Sequence, residues 1–88
     1  MNASELATLK AVLTVLNNCD GHAIPIETLA IEANAAIEGP EPATRTEIRA
    51  ALQHARQKGW ADYQVSRLDR SERYYITAEG RIVLRENF

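Results

Sequence analysis

The residues with chemistry to offer in this sequence are mostly arginines, and they crowd into its second half. Between Thr44 and Ile76 stand Arg45, Arg49, Arg56, Lys58, Arg67, Arg70 and Arg73, facing only Glu47, Asp62, Asp69 and Glu72. Guanidinium groups grip phosphates and pair bidentately with guanine, so a cluster of them points to polyanion recognition. The first half has the opposite sign: Glu5, Asp20, Glu27, Glu32, Glu38 and Glu41 against Lys10 alone. A formal net charge of -2 over 88 residues therefore hides a basic half behind an acidic one. Phosphate binding needs a locally basic face, because charges act over about 8 Å at physiological salt. The competing reading is a solvated surface with uneven charge.

Other chemistries find less material. His22 and His54 are far apart, without cysteines or carboxylates at ligand spacing, so no metal site is expected. Ser4, Ser66 and Ser71 lack a glycine-framed elbow, and Cys19 has no neighbouring base, so no nucleophilic enzyme is expected. Gly21, Gly39, Gly59 and Gly80 are singletons that end or punctuate elements and make no phosphate-cradling loop; no cofactor is expected. Trp60, Tyr63, Tyr74 and Tyr75 could stack on bases, yet at helix-end and strand positions they read as core.

These residues need a scaffold, and 45% hydrophobic with 25% charged is the composition of a globular domain, here one unit over residues 1–88. A chain of this size buries only about 60% of its unfolded surface, which leaves a small core that a dimer interface would extend. The lone Cys19 excludes an internal disulfide and fits a reducing cytoplasm. Glu5 ahead of the first lysine, and Thr14 within the apolar run, leave neither a signal peptide nor a membrane span.

Leu6, Leu9, Leu13 and Leu16, widened by Val12 and Val15, form a helical stripe that Asn2 or Ser4 can cap. Ala23 and Ile24 are extended ahead of Pro25. A second helix carries Ile26, Leu29, Ala30, Ala33 and Ile37 and stops at Gly39. After the proline-bearing loop from Glu38 to Ala43, Thr44 and Glu47 make a capping box that opens a third helix with Ile48, Leu52 and Ala55 inside. Beyond Gly59 and Trp60, Tyr63, Val65 and Leu68 form one strand, Asp69–Glu72 the turn, and Tyr74, Tyr75 and Ile76 the other strand. Thr77 caps a short last helix with Ile82, Val83 and Leu84. The expected core is Leu9, Leu13, Leu16, Leu29, Ile48, Leu52, Trp60 and Ile76.

Three helices, a two-stranded hairpin and a short terminal helix are the order of an α+β, mainly helical, winged helix-turn-helix domain. From Thr44 to Leu84, Gly59-Trp60 after a charged helix and the ending Tyr74-Tyr75-Ile76-Thr77-Ala78-Glu79-Gly80 resemble the wing and following helix of bacterial regulators of the PadR and MarR types. The resemblance implies that the helix from Thr44 to Lys58 enters the DNA major groove and that the hairpin from Tyr63 to Ile76 touches the backbone or minor groove. The proline-bearing loop is longer than the usual turn between the two helices, and the long dimerisation helix of these regulators has no counterpart before Phe88. The expectation is then a homodimer through Leu6, Leu9, Val12 and Leu13, or a monomer.

On the third helix, with Ile48 at zero, Arg45, Arg56, Arg49, Gln53 and Thr46 fall at about 60°, 80°, 100°, 140° and 160°, while Glu47, His54 and Lys58 take the other flank. The candidate DNA-binding set is Arg45, Thr46, Arg49, Gln53 and Arg56 on the helix, with Arg67, Arg70 and Arg73 on the wing. Two functions remain open. One is a small DNA-binding transcriptional regulator of bacterial or phage type, with double-stranded DNA as partner. The other is a winged-helix module that docks on a protein partner, its arginines paired across the turn or with Glu38 and Glu41.

Overall fold

Three of the four helices begin where a side chain satisfies a free backbone donor. The Asn2 side chain accepts the Glu5 N–H at 2.8 Å and opens α1 (Ala3–Asn18). Pro25 precedes α2 (Ile26–Ala36), and Thr44 opens α3 (Arg45–Gln57). Strands β1 (Ile24–Pro25), β2 (Ala61–Val65) and β3 (Glu72–Ile76) and helix α4 (Ala78–Asn87), capped by Thr77, complete the computed structural model, which describes residues 2–19, 22–37 and 42–88. Gly39, expected to stop the second helix, and Glu38 and Glu41, the expected ion-pair partners, lie outside the described residues. Among those residues, no helix is long and apolar enough to cross a membrane.

The apolar stripes of α1, α2 and α3 meet in one core. Leu9, Leu13, Leu16, Leu29, Ile48, Leu52 and Ile76 are buried there as expected, whereas Trp60 is half-buried at its rim, edge-on to His54 at 5.8 Å. Tyr74 is also buried, but Tyr63 and Tyr75 are only half-buried, which corrects their assignment to the core. The expected dimer face needs a larger correction. Leu9, Val12 and Leu13 are at most 1% exposed within the chain's own core, so of that set only Leu6 reaches solvent.

The sheet has three antiparallel strands in the order β1-β3-β2. The extended piece before α2 is its third strand, with Ile24 opposite Tyr74 and Pro25 opposite Arg73. A proline is tolerated there because β1 lies at an edge. The hairpin loop starts earlier than the sequence suggests. Val65 ends β2, and Leu68, expected in the strand, belongs to the loop, because the Ser66 N–H already bonds the Ser71 carbonyl at 2.8 Å.

Between α3 and the sheet the chain turns tightly. The Gly59 N–H reaches the Arg56 carbonyl and the Trp60 N–H the Ala55 carbonyl, at 3.1 and 2.8 Å, with Gly59 at φ 79°, the paired bonding of a Schellman cap. Thr77 locks α4 onto this turn. Its N–H donates to the Trp60 carbonyl at 3.0 Å, and its hydroxyl donates to the Gly59 carbonyl at 2.6 Å and accepts the Gly80 N–H at 3.1 Å. Gly80, read from sequence as punctuation, sits inside α4 because a Cβ there would overlap the Trp60 carbonyl oxygen and press to 2.7 Å on Ile76.

Candidate nucleic-acid interface

Helix α3 is fixed at its start and along its inner face. Thr44 Oγ1 accepts the Glu47 N–H and the Glu47 carboxylate accepts the Thr44 N–H, both at 3.1 Å, so the single acid of this helix is engaged at its start. The Ala43 N–H donates to Asn34 Oδ1 of α2 at 2.8 Å, which anchors the approach to the helix. Ile48, Ala51, Leu52 and Ala55 face the core. The opposite side presents Arg45, Thr46, Arg49, Gln53 and Arg56, all exposed, on the flank that helical periodicity assigns them.

Two tyrosines join this flank to the wing. The Arg56 guanidinium lies 4.0 Å over the Tyr63 ring, a cation–π contact from α3 to β2. Tyr63 packs on Tyr74, with ring centroids 6.1 Å apart, and the Tyr74 hydroxyl donates to Glu72 at 2.6 Å. Burial first, then the hydrogen bond to Glu72 and that residue's charge, push the Tyr74 phenol up to about 12, while Arg56 and Arg49 pull the other way. Both arginines are therefore within electrostatic reach of β3. The contacts Arg56–Tyr63, Tyr63–Tyr74 and Tyr74–Glu72 thus link α3 to both strands of the wing, with Glu72 on the same sheet face as Tyr63.

The wing loop is braced from within. Asp69 accepts both the N–H and the hydroxyl of Ser71, at 3.0 and 2.7 Å, and the Arg70 N–H donates to the Ser66 carbonyl at 2.9 Å. The bonds from Ser71, ahead of the Arg73 charge, hold the Asp69 carboxyl below the usual carboxylate range. Arg70 has φ 59°, the left-handed region that non-glycine residues rarely enter. Arg67 and Arg70 are exposed on this loop.

Arg73 differs from the other candidates. Its strand partner is Gln64, whereas Tyr63 pairs with Tyr74, so by strand alternation Arg73 occupies the sheet face turned away from Arg56. There it approaches Asp69 at 3.9 Å, the one ion pair among the described residues. The others, Arg45, Arg49, Arg56, Arg67 and Arg70, have no carboxylate within ion-pair distance among those residues.

Sequence reasoning missed Tyr63 as the seat of Arg56. The signal for Tyr63 was its strand alternation with Val65, which places both on the α3 side of β2. No group of three or more histidines, cysteines or carboxylates among the described residues is arranged to hold a metal ion.

No protein-family model and no curated protein matches this sequence. Solved structures do. A MarR-family transcriptional regulator from Silicibacter pomeroyi is similar at a TM-score of 0.70 and 26% identity, over 90% of this chain and 47% of that one. The PcaV transcriptional regulator from Streptomyces coelicolor, solved with its natural ligand, is similar at 0.69 and 20% identity, over 97% of this chain and 51% of that one. AF1382 from Archaeoglobus fulgidus shares the fold at 0.60 and 11% identity, over 91% of this chain and 78% of that one. The chain spans about half the length of the two regulators. It is a winged-helix domain whose architecture resembles that of the MarR-family transcription regulators.

Proposed function

We propose that this chain is the DNA-binding domain of a transcriptional regulator, with α3 reading the major groove and the wing loop resting on the flanking backbone. What supports this reading is the exposed arginine flank of α3, tied to the wing by the Arg56–Tyr63 contact, with Arg45, Arg49, Arg56, Arg67 and Arg70 beyond ion-pair distance of any carboxylate among the described residues. Arg45, Arg56, Arg67 and Arg70 hold phosphates, which sets register; Arg49, Gln53 and Thr46 reach base edges, which sets sequence. This function contains no enzymatic step and places the protein with chromosomal DNA in the cytoplasm.

Duplex DNA titrated with the unmodified protein tests it. Four phosphate contacts give a log–log salt slope of about -3.6, an affinity loss of roughly 150-fold between about 50 and 200 mM salt. Absence of duplex binding at about 50 mM salt refutes the reading, since phosphate contacts are least screened there.

A further inference from the structure

We infer that Leu68, at the tip of the wing, is a minor-groove contact that selects sequence beside the site read by α3; this rests on the DNA-binding reading above. Leu68 is 98% exposed, the most exposed of the large hydrophobic residues, and contributes nothing to the chain's own core. It is nevertheless held in place. Its N–H donates to the Ser66 hydroxyl at 3.3 Å, and the Ser66–Ser71 and Asp69–Ser71 bonds close the loop around it. The loop keeps Arg70 in a left-handed conformation, so its shape is maintained against a local penalty at the residue that follows Asp69. Val65, 54% exposed on the α3 side of β2, adds a second apolar group to the wing.

The tip reads Arg67-Leu68-Asp69-Arg70, an apolar side chain between two exposed arginines, with the Asp69 carboxylate engaged by Ser71 and approached by Arg73. A minor groove offers the matching surface, a slot about 6 Å wide walled by apolar sugar faces and flanked by two phosphate ridges. Leucine is among the side chains that enter such a slot in minor-groove binders. The floor of the groove decides what it accepts. The guanine 2-amino group projects from a G·C pair into this space and an A·T pair leaves it clear, so Leu68 disfavours G·C at the step it covers.

The test is a titration of the full chain and its Leu68→Ser variant on the duplex it binds best, with the pairs flanking the α3 contacts set to A·T, G·C or inosine·C. Inosine lacks the 2-amino group and otherwise keeps the G·C major-groove pattern. The unmodified protein binds the A·T and inosine·C duplexes alike and the G·C duplex more weakly. Leu68→Ser loses about tenfold on A·T, keeps the same salt slope and no longer distinguishes the three duplexes. Equal affinities of variant and parent, or a preference that persists in the variant, overturn the inference and leave DNA binding standing; in that case Leu68 belongs to a protein contact. Failure of the unmodified chain to bind any duplex removes both readings together. Folding is not a confounder, because a residue so exposed carries no packing, and matching thermal transitions verify it.

Discussion

Replacing Arg70 with glycine has opposite effects on stability and on DNA binding. The residue sits at φ 59°, where an L side chain costs about 1–2 kcal/mol and glycine costs nothing. Glycine also loosens the unfolded chain, by about 0.5–1 kcal/mol, which offsets part of that relief. The net is a stabilisation of about 0.5–1 kcal/mol, or a Tm rise of roughly 2–8 °C in a domain of this size. The same substitution removes one phosphate partner, so the salt slope becomes shallower by about 0.9. Arg70→Ala is the control: it loses the same slope but keeps the strained backbone, so its Tm stays near or below that of the parent. Calorimetry on the three proteins and anisotropy titrations at four salt concentrations read both quantities. A Tm of the glycine variant at or below that of the alanine variant refutes the strained loop, and an unchanged slope in both refutes the phosphate contact.

Other perturbations test the scaffold and its charges. Gly80→Ala drives a methyl into the Trp60 carbonyl oxygen, a backbone atom that cannot swing aside, and destabilises by about 3 kcal/mol or more in denaturant titration. Glu72→Gln keeps an acceptor for the Tyr74 hydroxyl and removes an acid from the wing, so nonspecific duplex binding tightens, most visibly at low salt. Tyr74 ionises more reluctantly in the fold, at about 12 against an ordinary 10, so its contribution is complete below pH 10 and is lost as pH rises from 10 through 12. Urea unfolding of Tyr74→Phe accordingly shows a weaker loss of stability across that interval than the parent does.

What the sequence made legible was local. The Thr44–Glu47 box, the Asn2 cap and the leucine stripe of α1 depend on residues three or four apart, and the fixed helical period placed Arg45, Arg49, Gln53 and Arg56 on one exposed flank. What stayed hidden depends on pairing between distant segments. A two-residue strand such as Ile24–Pro25 has too little pattern to announce itself and exists only because β3 supplies its partner. The faces of the wing were equally hidden. Side chains alternate with a period of two, so the unknown loop length left open whether Arg73 or Tyr74 shares a face with Arg56. The need for glycine at position 80 also arises at long range, from a carbonyl twenty residues earlier in the chain.

The junction at Thr77 turns three elements into a single lever. One side chain bonds the turn that ends α3 and the first turn of α4, and the missing Cβ at Gly80 lets the two backbones meet without a cushion between them. A torque applied to α4 finds no slack there. It arrives together at the end of α3, which carries Arg56, and at the root of β2, which carries Tyr63. A displacement of α4 therefore bears on the third helix and the hairpin together, with no flexible spacer between them.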